Sequence, residues 1–240
     1  DRMANIQGNG GRDTVIIVGD EGVALNMARA GLTIAQGGRG NDVISSGGAS
    51  GVFIKGGSGD STLIGGAGND VLVGGTGRNV IYGGSGNDVI YGDGNSDNLF
   101  GESGDDILYG GHQADTLHGG EGQDQLFGGT SNDALYGGSG YDTLDGGSGY
   151  DIVYGSDSDA LLVTGGDQAD HVTLSRADDG RYEVQIRNRA YSTVSFTAEG
   201  VGEVIFNGNA NDDRFENLTG IRSIVDGGEG VDVLIGGFGN

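Results

Sequence analysis

Asp70, Asp88, Asp106, Asp124 and Asp142 stand eighteen residues apart, and Asp97, Asp115, Asp133 and Asp151 form a second such series headed by Asn79. The two series are offset by nine residues. Each aspartate closes a glycine-rich run. Gly66 and Gly68 precede Asp70, Gly84 and Gly86 precede Asp88, Gly120 and Gly122 precede Asp124, and Gly138 and Gly140 precede Asp142. Glycine takes positive φ at little steric cost, so such runs turn tightly and aim backbone carbonyls at one point. Carboxylates repeated at a fixed interval beside those carbonyls make an all-oxygen cage. That cage suits Ca²⁺ better than Mg²⁺, which keeps its waters, or Zn²⁺, which wants nitrogen or sulfur. A lone Asp in a glycine turn is ordinarily an Asx-turn former, but ten turns in register ask for more. The series contain seven adjacent aspartate pairs, so about seven or more ions are expected. Ser61, Asn79 and Ala160 stand where Asp is due and should weaken or abolish the sites they border.

The spacing comes from a nine-residue phrase repeated twelve times without a break from Gly56 to Val163. Clear copies are GGAGNDVLV (65–73), GGSGNDVIY (83–91) and GGEGQDQLF (119–127). The first six places are the turn and the last three are β-prone. In a three-residue strand the middle side chain faces away from its neighbours. The eighth place holds Leu63, Leu72, Ile81, Ile90, Leu99, Leu108, Leu117, Leu126, Leu135, Leu144, Val153 and Leu162, which is the expected core. Two phrases then make one eighteen-residue coil, and the strands stack into two parallel sheets. At ~4.8 Å per strand the six coils make a rod about 29 Å long. A core of two aliphatic residues per coil is thin, and the aspartate rows stack like charges, so folding should be coupled to the cation. The ninth place is often aromatic: Tyr82, Tyr91, Phe100, Tyr109, Phe127, Tyr136 and Tyr154. These rings should pack across strands on an exposed face. A sticky surface for polysaccharide or a neighbouring repeat protein is the alternative.

Further copies flank the main run: Asp42 in GGRGNDVIS (37–45), Asp170 in GGDQADHVT (165–173) and Asp232 in GGEGVDVLI (227–235). The fold class is therefore all-β, a parallel β-roll or β-helix solenoid. Residues 1–36 read as degenerate coils with apolar Val23, Leu25, Met27, Leu32 and Ile34, and residues 37–171 as the ion-binding roll. Residues 172–207 lose the nine-residue beat and show alternation with short turns, the pattern of a small antiparallel insertion or cap. Six of the eleven arginines fall after residue 173. Residues 208–240 restart the phrase: GNANDDRF (208–215) matches GNGGRDTV (8–15) at an offset of roughly 200 residues. The expectation is a truncated further block, and a chain that is a slice of a longer tandem protein.

Composition removes several function classes. The formal charge is −23 with a single lysine, so nucleic acid and anionic membrane are disfavoured partners. No run of ~18 apolar residues exists for membrane insertion, no signal peptide is visible, and no cysteine is present for thiolate sites. His112, His118 and His171 fall at different places of the phrase and share no face. Neither a nucleophile elbow nor a phosphate loop followed by Lys-Ser/Thr occurs. The expectation is a protein that is not an enzyme.

The GGxGxDxUx phrase, carried by residues 37–170 and again by 227–235, resembles the RTX, or haemolysin-type calcium-binding, β-roll family. The resemblance implies a right-handed roll with Ca²⁺ held between turns of successive coils. It also implies secretion, often by type I machinery, of an unfolded chain that folds on meeting external Ca²⁺. Such regions accompany toxins, proteases, lipases, epimerases, adhesins and surface-layer proteins. The leading expectation is an extracellular structural module of a larger secreted or cell-surface protein. The alternatives are the secretion and folding module of an enzyme or toxin, and a carbohydrate-binding surface.

Overall fold

The computed structural model describes residues 13–16, 22, 24–26, 32–48, 51–164, 170–176, 182–188, 193–208 and 212–236. Among these every regular element is a strand. The first are β1 (Asp13–Ile16), β2 (Ala24–Asn26), β3 (Leu32–Gln36), β4 (Val43–Gly48) and β5 (Phe53–Ser58). The main run supplies β6 (Thr62–Ala67), β7 (Val71–Thr76), β8 (Val80–Ser85), β9 (Val89–Gly94), β10 (Asn98–Ser103), β11 (Ile107–His112), β12 (Thr116–Glu121), β13 (Gln125–Thr130), β14 (Ala134–Ser139) and β15 (Thr143–Ser148). The C-terminal region holds β16 (Tyr150–Thr164), β17 (Asp170–Arg176), β18 (Tyr182–Asn188), β19 (Thr193–Asn207), β20 (Arg214–Asn217), β21 (Arg222–Asp226) and β22 (Val233–Ile235).

Each strand of the roll pairs in parallel with the strand two places along, so two sheets grow side by side. One joins β6, β8, β10, β12, β14 and the first half of β16. The other joins β5, β7, β9, β11, β13, β15 and the second half of β16. The eighth-place file faces inward in strict register: Leu63 opposes Ile81, and Leu72 opposes Ile90. From Leu63 to Val153 that file is completely buried. Apolar burial is worth about 1.5–3 kcal/mol per side chain, and here it is arranged as two single-residue columns.

The strands are six residues long, twice the expected length. Pairing does not stop after the ninth place but continues through the first three places of the next phrase, as in Gly57↔Gly75 and Ser58↔Thr76. Only three residues remain for each turn. The second place sits in the left-handed region, with φ of 104° at Gly66 and 116° at Gly84. A Cβ on Gly84 would lie 2.0 Å from the Gly66 carbonyl oxygen. Close stacking of equivalent backbones, as well as positive φ, therefore favours glycine at Gly84, although Asp93 and Glu102 take the same place of their phrases at φ of 73° and 76°.

The last phrase of the main run differs from its expected register. Leu161, not Leu162, is the buried core residue and pairs with Leu144. Asp159, not Ala160, occupies the aspartate row. This turn is one residue shorter than the others, and β16 runs through it. At the other end Leu25 and Ala35 are buried, while Ile34 is only half-buried. There Ala35, which pairs with Ile54, faces the core in place of Ile34.

The outward rings form two columns. Tyr82, Phe100, His118, Tyr136 and Tyr154 stack on one sheet, with centroids 4.9, 4.9, 4.5 and 4.8 Å apart. Tyr91, Tyr109 and Phe127 stack on the other at 5.0 and 4.9 Å. His118, which shares no face with the other two histidines, is the middle ring of the longer column. Burial pushes its pKa down, favouring the neutral ring.

Near the C-terminus β18 pairs antiparallel with both β17 and β19, which is the small antiparallel insertion. The roll runs on past it, because β19 pairs in parallel with β16 and β21, and β17 with β20. β20 in turn pairs in parallel with β22. Glu203 on β19 ties this region to the main run. It accepts a hydrogen bond from the Tyr141 hydroxyl and lies 3.4 Å from Arg222. Val23, Met27, the 177–180 turn and Arg181 and Arg189 lie outside the described residues, as do the side chains of Asp170, His171, Arg176 and Arg187.

Candidate metal centre

The sixth-place aspartates sit at the end of the three-residue turn, where the chain re-enters the strand. Their side chains fold under the turn and are almost fully buried. On one edge the N–H of Asp70 donates to Asp88 Oδ1 at 2.7 Å, Asp88 to Asp106 at 2.7 Å, Asp106 to Asp124 at 2.9 Å and Asp124 to Asp142 at 2.9 Å. Asp142 then donates to Asp159 Oδ1 at 3.2 Å. On the opposite edge Asn79 donates to Asp97 at 2.6 Å, then Asp97 to Asp115, Asp115 to Asp133 and Asp133 to Asp151, each at 2.8 Å. One oxygen of each carboxylate is thus consumed in strapping its coil to the preceding one.

The other oxygen is not. Oδ2 of Asp70, Asp88, Asp97, Asp106, Asp115, Asp124, Asp133, Asp142 and Asp151 is buried without a hydrogen-bond partner. It lies against the first-place glycine of its own phrase: a Cβ on Gly83 would come within 2.3 Å of Asp88 Oδ2 and 2.9 Å of the Gly101 carbonyl oxygen. Glycine at the first place thus leaves room where a carboxylate oxygen and a carbonyl oxygen of the next coil converge. Buried polar atoms are ordinarily satisfied, so a regular file of unsatisfied ones needs a physical reason. Burial pushes Asp133 up to about 8, Asp70, Asp97, Asp106, Asp115 and Asp151 to about 7, and Asp88 and Asp124 to about 6. Hydrogen bonds from the preceding coil act against this, and neighbouring carboxylates mostly add to it.

No three His, Cys, Asp or Glu side chains converge on one point among the described residues. The carboxylates come in vertical pairs, so a cation between them must draw its remaining ligands from backbone carbonyls. The donor set is oxygen throughout, which matches a hard cation of high coordination number. Gly66, Gly68, Gly84, Gly86, Gly120, Gly122, Gly138 and Gly140 all hold positive φ. Those eighteen residues apart lie against one another: a Cβ on Gly138 would come within 2.2 Å of the Gly120 carbonyl oxygen.

Not every expected residue joins the two files. Asp42 accepts the Gly38 N–H at 3.0 Å, and its own N–H donates to Ser61 Oγ, which stands where the main run has an aspartate Oδ1. Asp170 opens β17, and its side chain lies outside the described residues. Asp232 accepts the Asp213 N–H at 3.0 Å, repeating the motif of the main run. Asp159 and Asp213 were not among the expected ligands. Asp213 could have been found at the sixth place of its copy, whereas Asp159 is hidden by the shortened turn. A second, outer strap was also missed, at the fifth place. Asn87 N–H donates to Asn69 Oδ1 at 3.0 Å, Asp105 to Asn87 at 3.1 Å and Gln123 to Asp105 at 2.9 Å. It runs in the direction opposite to the buried one.

No curated protein matches the chain. The family model of the RTX calcium-binding nonapeptide repeat, in four-copy form, matches residues 30–50, 53–80, 65–99, 91–126, 127–159 and 222–240, well over half of the chain. With the parallel roll, the glycine turns and the paired buried aspartates, that match makes the chain a member of the RTX calcium-binding repeat family, a structural repeat that binds Ca²⁺.

Proposed function

We propose that the chain is a calcium-loaded structural rod in a larger secreted or cell-surface protein, of the adhesin, matrix or surface-layer kind, and that it folds when it meets Ca²⁺. The files of buried Oδ2 atoms without partners support this reading most directly. A buried carboxylate without a neutralising partner is costly, and the files stack many of them. Bound Ca²⁺ supplies positive charge and a coordination sphere of six to eight oxygens. In this reading it lies between the pairs 70/88, 88/106, 106/124, 124/142 and 142/159 on one edge, and 97/115, 115/133 and 133/151 on the other. The pair 213/232 makes nine in all. Carbonyls of the second and fourth places would complete the ligands; most are glycines, but on the second edge the fourth place is Asn95, Gln113 and Ser131, which hold positive φ as the glycines do. The ion-binding region spans 37–171 and, through Asp213 and Asp232, residues 208–240.

The residues divide the work. Oδ1 holds each coil to its predecessor, Oδ2 faces the neighbouring carboxylate pair, and glycine keeps the turns close enough to share a ligand. Affinities of ~10⁻⁴–10⁻³ M are usual for extracellular modules, so the rod would be loaded outside a cell. Circular dichroism with Ca²⁺ and with chelator tests the coupling, and isothermal titration counts the ions. A β spectrum indifferent to chelator sinks the reading.

The same geometry serves a folding and secretion module of an enzyme whose active domain lies elsewhere, and the sequence flanking these residues separates the two. The aromatic columns argue against a sugar platform. Sugars stack on ring faces, but here Phe100, His118, Tyr136 and Tyr109 have both faces covered by neighbouring rings, with interplanar angles of 4–11°. Loss of glycan binding on Tyr91→Ala or Tyr109→Ala, with Ca²⁺-dependent folding intact, would reverse that argument.

A further inference from the structure

Asn79 stands in the aspartate row of the second edge, yet it does not leave the same gap. Its Oδ1 accepts the Ser61 N–H at 3.1 Å, which orients the amide. Its Nδ2 then occupies the place that Oδ2 takes elsewhere: a Cβ on Gly74 would meet it at 2.6 Å, as a Cβ on Gly92 would meet Asp97 Oδ2 at 2.6 Å. From there Nδ2 donates to the Gly77 carbonyl at 3.1 Å and to Asp97 Oδ1 at 3.1 Å. Those acceptors, a turn carbonyl and the carboxylate of the next coil, are of the kind a cation would bridge. The amide supplies the positive end of a dipole where the paired turns have only oxygen. Below it the ladder continues on a neutral hydroxyl, Ser61 Oγ, which accepts the Asp42 N–H at 3.2 Å.

The charge of the rod is divided at the same point. Residues 43–82 contain Asp60, Asp70, Lys55 and Arg78, so their formal charges cancel. The Arg78 guanidinium reaches Asp60 Oδ2 at 3.6 Å, and the backbone N–H of Arg78 donates to Asp60 Oδ1 at 2.8 Å. Residues 83–163 contain fifteen Asp and Glu and no Lys or Arg. The buried apolar column runs through both segments, and the strands from β4 to β15 are all six residues long. What differs is how much the stack suffers when a divalent cation is withdrawn. Among the acidic coils, like charges are brought to neighbouring turns. Among the neutral coils, the turn stack at Asn79 is closed by hydrogen bonds within the chain.

We propose that Asn79 is a built-in replacement for a cation, and that the electroneutral coils around it stay rolled when calcium is withdrawn while the acidic coils beyond Tyr82 unroll. The rod then has a calcium-independent seed on which the calcium-dependent coils re-form. This rests on the reading of the aspartate pairs as Ca²⁺ sites.

Backbone amide hydrogen exchange on the whole chain, in millimolar Ca²⁺ and in excess EGTA, tests it. In Ca²⁺ the amides of β6, β8, β12 and β14 are all protected; if they are not, the calcium reading itself fails. In EGTA the β6 and β8 amides exchange at least about tenfold more slowly than those of β12 and β14, the signature of separate opening units. Equal loss in all four strands overturns the seed. Asn79→Asp is expected to bind one further Ca²⁺ and to lose the excess protection of β6 and β8 in EGTA. The reciprocal Asp133→Asn places an amide among the acidic coils, and is expected to lose Ca²⁺ while raising β14 protection in EGTA. If neither variant moves protection in EGTA, Asn79 is only a missing site and the proposal is wrong.

Discussion

The backbone N–H of Asp115 donates to Asp133 Oδ1 at 2.8 Å, while Oδ2 of both residues is buried without a partner. A single side chain thus performs two tasks, one toward the coil before it and one toward the space between turns. Because every interior aspartate borders two pairs, the sites are linked, and position within the file decides what a substitution removes.

Asp115→Asn should therefore cost up to two ions, those of the 97/115 and 115/133 pairs, whereas Asp70→Asn should cost one, that of 70/88. Calorimetric stoichiometry at saturating Ca²⁺ distinguishes them. Equal losses would show that the aspartates bind independently.

Acidity should replace the cation to a degree. The folded pKa of Asp133 is pushed up to about 8 and that of Asp97 to about 7, above the ordinary carboxylate value of 3.8. The folded chain then holds protons more tightly than the unfolded one. The resulting stabilisation is complete below pH 3.8 and is lost as pH rises through about 6 to 8. In EGTA, β structure measured by circular dichroism should grow as pH falls from 8 to 5. In Ca²⁺ the trend reverses for affinity, since protons compete for the same oxygens. A chelated spectrum that does not change with pH would count against the burial of these groups.

The register at the end of the main run can be checked by a pair of truncations. Leu161 is fully buried and Leu162 only half-buried. Leu161→Ala should destabilise the Ca²⁺-loaded roll by about 2–5 kcal/mol, as large-to-small core changes do, and Leu162→Ala by under about 1 kcal/mol. Urea midpoints in saturating Ca²⁺ give both. The opposite order would restore the unbroken nine-residue phase.

His118 is held between Phe100 and Tyr136 at 4.9 and 4.5 Å. His118→Ala should cost about 0.5–1.5 kcal/mol for the broken stack, and His118→Phe should leave the urea midpoint unchanged or raised. If both variants behave alike, the column contributes nothing measurable.

Much of this architecture was legible because the nine-residue phrase ties chemistry to position. The spacing alone placed Leu63 to Val153 in the core and Asp70 to Asp151 in two rows. What it concealed has three physical sources. Glycine is a poor strand former in general, so the pairing of Gly57 with Gly75 could not be read from propensity, and the strands came out too short. Gly155 to Val163 keeps the nine-residue count while its turn is one residue shorter, which moves the aspartate role from Ala160 to Asp159 and the core from Leu162 to Leu161. Finally, stacking depends on a flat ring at the right height and not on residue class, so His118 went unnoticed among tyrosines. The fifth-place strap was hidden likewise, since Asn69, Asn87 and Asp105 share only a side-chain oxygen.

The pairing pattern has a mechanical consequence. Through the main run each coil is bonded only to the coil before it and the coil after it, eighteen residues away. Under tension applied at its two ends such a stack has no interior bond that must break first. It peels from an end, one coil at a time. Each coil of eighteen residues releases about 60 Å of extended chain. A load on the rod would be met by a staircase of equal extensions, with the height of each step set by external calcium and the number of steps by the number of coils.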